Sequence, residues 1–460
     1  MMRVLTSSLG IAALLLSGCN MAPRYVRPQA PVPAQWPGGA AYPAPDGAET
    51  AGLPWKTLIA NAKLRTVIMT MLANNRDLRA SLANIAAARA QFRGSRSSLF
   101  PTLAATGSAS TTGGERGGTD SYDADVGISA FEIDLFGRLR NQARSQFETY
   151  LSTQSGMRAT QLSLIQETAL AYVTLAADED LLAIARDTEA SATRSVQLNK
   201  ALLDAGLGNA ADLETANTLL AQTQSDVASA TTQVAQDRNA LDLLVGAQVS
   251  DDLLPASLAE IDGTIGLPPA GLSSEVLLQR PDVVEAEHML RSANYDIGAA
   301  RAAFFPTISL TAAFGFASTA LSDLFKSGSS GWTVAPSASL PLVGGANGAN
   351  LDYAKAQRDQ YAALYEKAVQ TAFRDVADAL ARRGTIAAQR DAQARFVAAA
   401  RRSLALSEDQ YRVGTLAYLN VLTAQRTLYG ARQTQVAAIL ADLSNRLALY
   451  AAIGADDLAD

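Results

Sequence analysis

The chain has 460 residues, of which 48% are hydrophobic and only 6% aromatic, and a net charge of −6. Alanine supplies much of the apolar content, which is typical of closely packed helices rather than of one large globular core. The absence of a basic block argues against a nucleic-acid-binding protein, and the single cysteine excludes a disulfide within the chain.

The N-terminus has the pattern of a secretory signal. Arg3 precedes an apolar run from Leu9 to Leu16, which is too short to cross a bilayer. The following Leu16-Ser17-Gly18-Cys19 resembles the bacterial lipoprotein box, so residues 1–18 are predicted to be a lipoprotein signal peptide. In such proteins the cysteine becomes the first mature residue and carries several acyl chains, which together anchor a protein stably. The alternative is an ordinary secretion signal with an incidental cysteine.

Residues 19–54 are predicted to form a lipidated, extended leader. They contain eight prolines, and proline can neither continue a helix nor donate a hydrogen bond to a sheet. Helical spacing begins at Trp55, and a helix is predicted to open at Asn75 and to run toward Phe100.

The chain repeats itself after 205 to 208 residues. Arg96–Leu103 returns as Arg301–Ile308, with Phe-Pro-Thr in both copies, and Gly206 returns as Gly414. These markers predict a tandem duplication in which each copy runs helix, two strands, very long helix, glycine tip and helix. The first repeat is predicted to span 55–250 and the second 275–455, with a linker at 251–274 and a tail at 456–460.

Each repeat is predicted to contain two strands, at about 101–112 and 122–135 and at about 306–317 and 332–342. In the second of these, Ala124, Val126 and Ile128 alternate with polar or small residues, which is the period of a strand with one apolar face. Pro336 interrupts the last strand, and proline is expected only at sheet edges or bulges.

Strands of about ten residues with one apolar face are typical of transmembrane barrels, and a soluble hairpin is the alternative. Four strands are too few for a barrel of one chain, which needs about eight. A sheet of four strands alone would leave the backbone groups of its two edge strands unpaired in lipid, at a cost of several kcal/mol for each group. Either the strands are soluble, or several chains share one barrel, and three chains would supply twelve strands.

Two helical hairpins are predicted, at about 138–246 and 346–454. The segment from Leu139 to Leu203 has no proline and would be about 100 Å long as a helix. Apolar residues in the hairpins recur in steps of three and four, which is typical of coiled-coil seams. Gly206 and Gly414 are predicted to end the long helices at the two tips.

Several ordered motifs carry a family resemblance: Phe131–Arg138, Gln279–Val283, Tyr411–Thr415, the two Phe-Pro-Thr segments and the lipoprotein box. Together they resemble a TolC-type outer membrane efflux factor of the NodT lipoprotein branch. The resemblance implies a mainly α protein with a small transmembrane β part. It implies a homotrimer whose twelve strands form a barrel across the bacterial outer membrane and whose helices form a periplasmic tunnel. It also implies a passive exit duct that works with a periplasmic adaptor and an inner-membrane pump of the RND type.

The family closes its tunnel near the helix tips and often places Asp there. The corresponding positions here, Asn420 and Thr423, are uncharged, but Asp212 lies 208 residues before Asn420. The hypothesis is that Asp212 shares a periplasmic constriction with Asn420 and Thr423. The alternative is that Asp212 only favours the start of a helix through its negative charge. The tips, at Gly206, Gly414 and Thr415, are expected to dock the adaptor.

No enzymatic chemistry is expected. The single histidine, His288, is interpreted as part of a solvated helix face, and there is no second histidine or cysteine for a metal cluster. No Ser/His/Asp set and no phosphate-binding glycine loop is recognisable. No cofactor is expected beyond the lipid on Cys19.

Two other functions fit the sequence less well. A periplasmic adaptor lipoprotein would carry one hairpin rather than a duplicated unit, and a coiled-coil spacer would not need amphipathic strands.

Overall fold

The computed structural model describes residues 20–43, 54–114, 118–343 and 345–454. The signal peptide, Cys19 and the tail at 456–460 lie outside these ranges. A one-turn helix at Trp55–Leu58 comes first, and the longer α-helices are α1 Ala62–Asn74, α2 Arg76–Ser97, α3 Arg138–Asp204, α4 Ala210–Val245, α5 Pro281–Ala302, α6 Asn347–Arg412 and α7 Tyr418–Ile453. The strands are β1 Leu103–Thr112, β2 Thr119–Glu132, β3 Thr307–Ser318 and β4 Ser330–Ser339.

The described residues form two compact units, and each unit draws on both predicted repeats. Of the described residues, 20–30, 83–114, 118–155, 284–343 and 345–367 belong to the first unit, and 31–43, 54–82, 156–283 and 368–454 belong to the second. The sheet belongs to the first unit. The two turns at the tips of the helical hairpins belong to the second.

In the first unit the four strands form one antiparallel sheet in the order β1-β2-β3-β4. Strand β2 starts at Thr119, three residues before the predicted start, because Thr119 still pairs with Thr112 of β1. Pro336 lies inside β4, opposite Leu310. Within one chain β4 is an edge strand, which is where proline is expected in a sheet.

Helices of the first unit follow the order of the strands to which they are joined. The ring of Phe92 in α2 packs on the ring of Phe147 in α3, with the ring centroids 5.1 Å apart. Ser145 of α3 is hydrogen-bonded to Ser292 of α5, with the two hydroxyl oxygens 2.9 Å apart. At the other side of α5, the Asn347 side chain at the start of α6 donates to the Ala303 carbonyl. Helices α2, α3, α5 and α6 are therefore adjacent in the same order as β1 to β4.

The start of the leader is held along α5 by a buried carboxylate. Glu287 accepts hydrogen bonds from Arg27, Arg291 and the hydroxyl of Tyr25, with donor distances between 2.6 and 3.1 Å. Burial opposes the ionisation of Glu287, but the hydrogen bonds and charges of Arg27 and Arg291 outweigh it and lower the pKa of its carboxyl. A proline-rich segment with few backbone hydrogen bonds is thus fixed by side chains.

In the second unit an apolar core is formed by α1, the middle of α3, the ends of α4 and α7, and the segment between the repeats. Leu258, Ile261 and Ile265 of that segment are at most 1% exposed. Tyr172 of α3 donates to the carbonyl of Leu253 over 2.9 Å. The segment between the repeats is therefore a packed part of the core.

Arg280, in the motif Gln279–Val283, closes the end of α7. Its side chain donates to the carbonyl of Ala452 over 2.5 Å and forms two hydrogen bonds with Asp282. A cation beside the last carbonyls of a helix is favourable because the helix dipole is negative there.

Candidate functional site

One face of the sheet carries an apolar row that crosses all four strands. The register places Ala105, Val126, Phe314 and Trp332 side by side. Three of these side chains are large and exposed, at 49% for Val126, 56% for Phe314 and 76% for Trp332. An exposed apolar band across a sheet is a lipid-facing feature of transmembrane barrels.

The opposite face is polar and acidic. The next row of the register holds Thr106, Asp125, Gly315 and Gly331. Two residues along β2 from Asp125, and so on the same face, the Asp123 carboxylate accepts hydrogen bonds from Ser108 and Ser121 over 3.2 and 3.0 Å. The four strands contain no lysine or arginine, so this face carries a negative field.

Within the described residues the sheet is open. Strand β1 pairs only with β2, and β4 pairs only with β3. One side of each edge strand therefore presents unpaired N–H and C=O groups, which is costly in lipid because no water can satisfy them. A sheet of this kind needs further strands to cross a membrane.

The two helical hairpins, α3–α4 and α6–α7, turn in the same way. At the first tip Leu207 N–H donates to the Leu202 carbonyl, and at the second Thr415 N–H donates to the Gln410 carbonyl. Gly206 and Gly414 precede these donors with φ angles of 71° and 75°. This is the Schellman motif, in which a left-handed residue, usually glycine, ends the helix.

Apolar side chains are exposed at both tips. Leu207 is 79% exposed and Val413 is 72% exposed. Since the tip backbone is fixed by its own hydrogen bonds, these side chains are presented by a rigid turn. Rigid, exposed apolar groups are suited to contact with another protein.

Asp212 lies in the first turn of α4 and is bonded to the cap of that helix. Asn209 accepts from the Asp212 N–H and donates to the Asp212 carboxylate, both over 2.8 Å. Thr423 and Asn420 are exposed in the first turns of α7 and also bond within their own turn. In the second hairpin, burial and then the charge of Asp212 raise the pKa of the Tyr411 hydroxyl.

A set of polar contacts that the sequence does not reveal joins the two hairpins. Tyr429 of α7 donates to Asp226 of α4 over 2.8 Å, and Arg426 donates to Thr218 over 3.0 Å. Arg432 pairs with Asp187 of α3 at 2.5 Å. In the sequence, the sign of these contacts is that Arg426, Tyr429 and Arg432 are spaced three residues apart, which places them on one face of α7. Burial, and then the hydrogen bond to Asp226, raise the pKa of Tyr429, so its hydroxyl stays protonated.

The interpretation of His288 as a solvated residue is wrong. Its side chain is 17% exposed, and Nδ1 lies 2.6 Å from the Glu148 carboxylate of α3. The polar face of α5 is covered by α3 and by the leader, and a single helix gives no sign of this. Among the described residues no group of three or more His, Cys, Asp or Glu side chains could hold a metal ion.

The comparisons with known proteins agree with this architecture. The family model "Outer membrane efflux protein" matches residues 67–247 and 272–455. The toluene efflux pump outer membrane protein TtgC of Pseudomonas putida is 40% identical over 459 residues, covering 97% of this chain and 94% of the relative. The cation efflux system protein CusC of Escherichia coli is 38% identical over 448 residues, covering 96% and 97%.

A solved structure shows the same fold. The open state of the MtrE outer membrane channel of Neisseria gonorrhoeae has a TM-score of 0.87 at 34% identity, covering 95% of this chain and 99% of that one. The predicted fold class, outer-membrane location and role as an efflux exit duct are confirmed. The adaptor alternative finds no support among these matches. The chain belongs to the outer membrane efflux protein family, whose members are channels of efflux systems.

Proposed function

We propose that three copies of this chain close one twelve-stranded barrel in the outer membrane and continue it as a helical tunnel into the periplasm. The observation that carries this proposal is the open four-stranded sheet with an exposed apolar row on one face. Three copies supply twelve strands, above the minimum of about eight for a barrel. Closure pairs β1 of one copy with β4 of the next and removes the edges.

The duct is passive and performs no chemical step. Energy comes from an inner-membrane pump of the RND type, which delivers cargo through a periplasmic adaptor. The adaptor docks at the two tips, where Gly206, Gly414 and Thr415 hold the turns and Leu207 and Val413 are exposed. These rigid apolar tips support a protein partner rather than a membrane or nucleic-acid contact.

The narrowest point of the resting duct lies near the tips and includes Asp212, Asn420 and Thr423. The polar contacts between the hairpins hold this region closed, and its opening separates them. Each of the contacts Tyr429–Asp226, Arg432–Asp187 and Arg426–Thr218 has a charged partner, which makes such hydrogen bonds stronger than neutral ones.

The chain is also anchored by lipid on Cys19, with no other cofactor. The support is the lipoprotein box and the course of the leader, whose Met21 carbonyl accepts from Arg301 near the end of α5. Since α5 leads into β3, this contact holds the start of the leader near the base of the sheet. Mass spectrometry of the mature N-terminus, expected to find diacylglycerol and an acyl chain on Cys19, tests the anchor.

Cargo choice lies mainly in the pump. The support is that relatives of similar identity carry different cargo names, toluene for TtgC and cations for CusC. We therefore propose export of small molecules without assigning one cargo to the duct.

Two measurements on the purified protein test the duct. Without heating, a gel should show a trimer that dissociates on boiling, and a planar bilayer should show stepwise ion conductance. A correctly folded, water-soluble monomer without conductance would contradict the proposal. Co-purification with an adaptor and its loss in a Leu207→Asp variant test the docking surface, with the exposed Leu198→Asp as the matched control away from the turn.

A further inference from the structure

The two loops at the end of the sheet opposite the α-helices, which is called the helix-free end here because it has no α-helix, differ sharply in chemistry. The β1–β2 loop has the sequence Gly113-Gly114-Glu115-Arg116-Gly117-Gly118, whereas the β3–β4 loop, residues 319–329, contains Leu321, Leu324 and Phe325. Equivalent loops of two repeats thus have opposite polarity. Nothing in the conduction of cargo explains an apolar loop at this end.

The β3–β4 loop is ordered by its own hydrogen bonds. The Ser329 hydroxyl bonds the carbonyls of Leu324 and Lys326 over 2.6 and 2.8 Å, and the Ser329 carbonyl accepts from Ala317 N–H over 2.9 Å. Leu324 is 5% exposed and packs inward. The loop backbone is therefore defined.

Two large apolar side chains point away from this ordered loop. Leu321 is 65% exposed and Phe325 is 72% exposed. In water such exposure on a fixed backbone is unfavourable, so a contact surface is expected here.

The position of Phe325 identifies that surface. Its ring packs edge-on against Phe316 with the centroids 5.3 Å apart, and Phe316 in turn lies 6.1 Å from Phe314. Phe314 belongs to the exposed apolar row of the sheet. Phe325 therefore extends the apolar face beyond the end of β3, on the same side as Trp332 and Val126.

We propose that the β3–β4 loop is an anchor in the outer leaflet of the membrane, with Leu321 and Phe325 inserted at the level where headgroups meet acyl chains. The inference rests on the proposed barrel, whose helix-free end faces the outside of the cell. Aromatic and aliphatic side chains at barrel interfaces have this role, in the girdles that flank the lipid-facing band. Lys326 pairs with Asp323 over 2.5 Å, so the loop is formally neutral and apolar contact carries the binding.

A second copy of the chain or a soluble protein could also cover the loop. Lipid is favoured because Phe325 is continuous with the lipid-facing row, whereas the edges that meet another copy are those of β1 and β4. The apolar surface also has no charge pattern that would select a protein partner.

The test places an environment-sensitive dye on the loop of the reconstituted channel. Phe325→Cys is labelled with a nitrobenzoxadiazole maleimide in phosphatidylcholine vesicles that carry a nitroxide high on the acyl chain. Gly114→Cys, in the polar β1–β2 loop, is the matched control, and the parent chain measures any labelling of Cys19. Leu321→Cys gives the same readout if Phe325→Cys does not assemble.

A dye at position 325 is expected to emit at shorter wavelength than at 114 and to be quenched about threefold more strongly by the lipid nitroxide. Water-like emission with quenching no greater than at 114 would overturn the inference. Emission at shorter wavelength without quenching by the lipid nitroxide would also overturn the inference, because another protein chain would then cover the loop. Conductance is recorded on the same samples. Normal conductance with an unquenched dye refutes the anchor alone, and absence of trimers and conductance in the parent chain refutes the duct as well.

Discussion

Tyr429 of α7 donates a hydrogen bond to Asp226 of α4, joining the two helical hairpins through residues 203 positions apart in the chain. The hydroxyl stays protonated because burial, and then the carboxylate, raise its pKa. The contact is thus a neutral donor on a charged acceptor, and it persists over the physiological range of pH.

Tyr429→Phe should loosen the closed tips. A hydrogen bond to a charged group is worth about 1.5–3 kcal/mol, so its loss shifts the balance toward the open duct. We expect a larger or more frequently open single-channel current in a planar bilayer. Tyr361→Phe, at a half-buried tyrosine of α6 in the first unit, is the matched control. Currents equal to those of the parent would show that this contact does not hold the tips.

The Asp212→Asn variant distinguishes two roles of Asp212: lining the pore constriction, and favouring the start of helix α4. If Asp212 lines the constriction, removal of its charge lowers the preference for cations, which a reversal potential in a salt gradient measures. If it only favours the start of α4, the cost is about 0.3–1 kcal/mol of stability and the current stays unchanged. Glu214→Gln removes an equal charge two residues further along α4 and serves as the control.

Lysine at neighbouring alanines of β1 tests which face of the sheet meets lipid. Ala105 lies in the row with Val126, and Ala104 lies opposite Gly127 on the polar face. Ala105→Lys should cost about 2–4 kcal/mol near the middle of the membrane and reduce the yield of inserted trimers. Ala104→Lys should insert normally and lower the cation preference of the channel. The reverse order of yields would mean that the faces are assigned the wrong way round.

The pH dependence of stability should reveal a carboxyl pair between α3 and α4. Burial, and then the hydrogen bond and charge of Asp237, raise the pKa of Asp178 to about 7. The folded state therefore binds a proton that the unfolded state has released above its ordinary pKa of 3.8. Stability from this pair is present at acid pH and is lost as the pH rises toward about 7.

Asp178→Asn should remove that dependence and raise the melting temperature at pH values above about 7 relative to the parent. Thermal dissociation of the trimer, measured across this pH range, gives the comparison. Glu179→Gln removes a neighbouring carboxylate of α3 that is not part of this pair, and it serves as the control. Identical pH profiles for Asp178→Asn and the parent would exclude the pair as a proton-linked contact.

Local features could be predicted because neighbouring residues cause them. The strands were visible because Ala124, Val126 and Ile128 alternate with small or polar residues, and the structure places them in β2. The tips were visible because only glycine adopts the left-handed turn easily, and Gly206 and Gly414 do so. The duplication gave the order of elements, and the count of four strands raised the question of assembly.

The contacts between these elements could not be predicted from the sequence. His288 looked solvated because a helix read alone does not show which neighbour covers it, and the pairing with Glu148 spans 140 residues. The same reason hid the partners of Tyr429 and Arg432 and the position of Phe325 over Phe316. The sequence by itself determined the period of each strand, the ends of the long helices and the family pattern, because these are local or repeated. Only the tertiary structure decided which polar groups meet and which apolar groups stay uncovered, because that depends on packing between residues far apart in the chain.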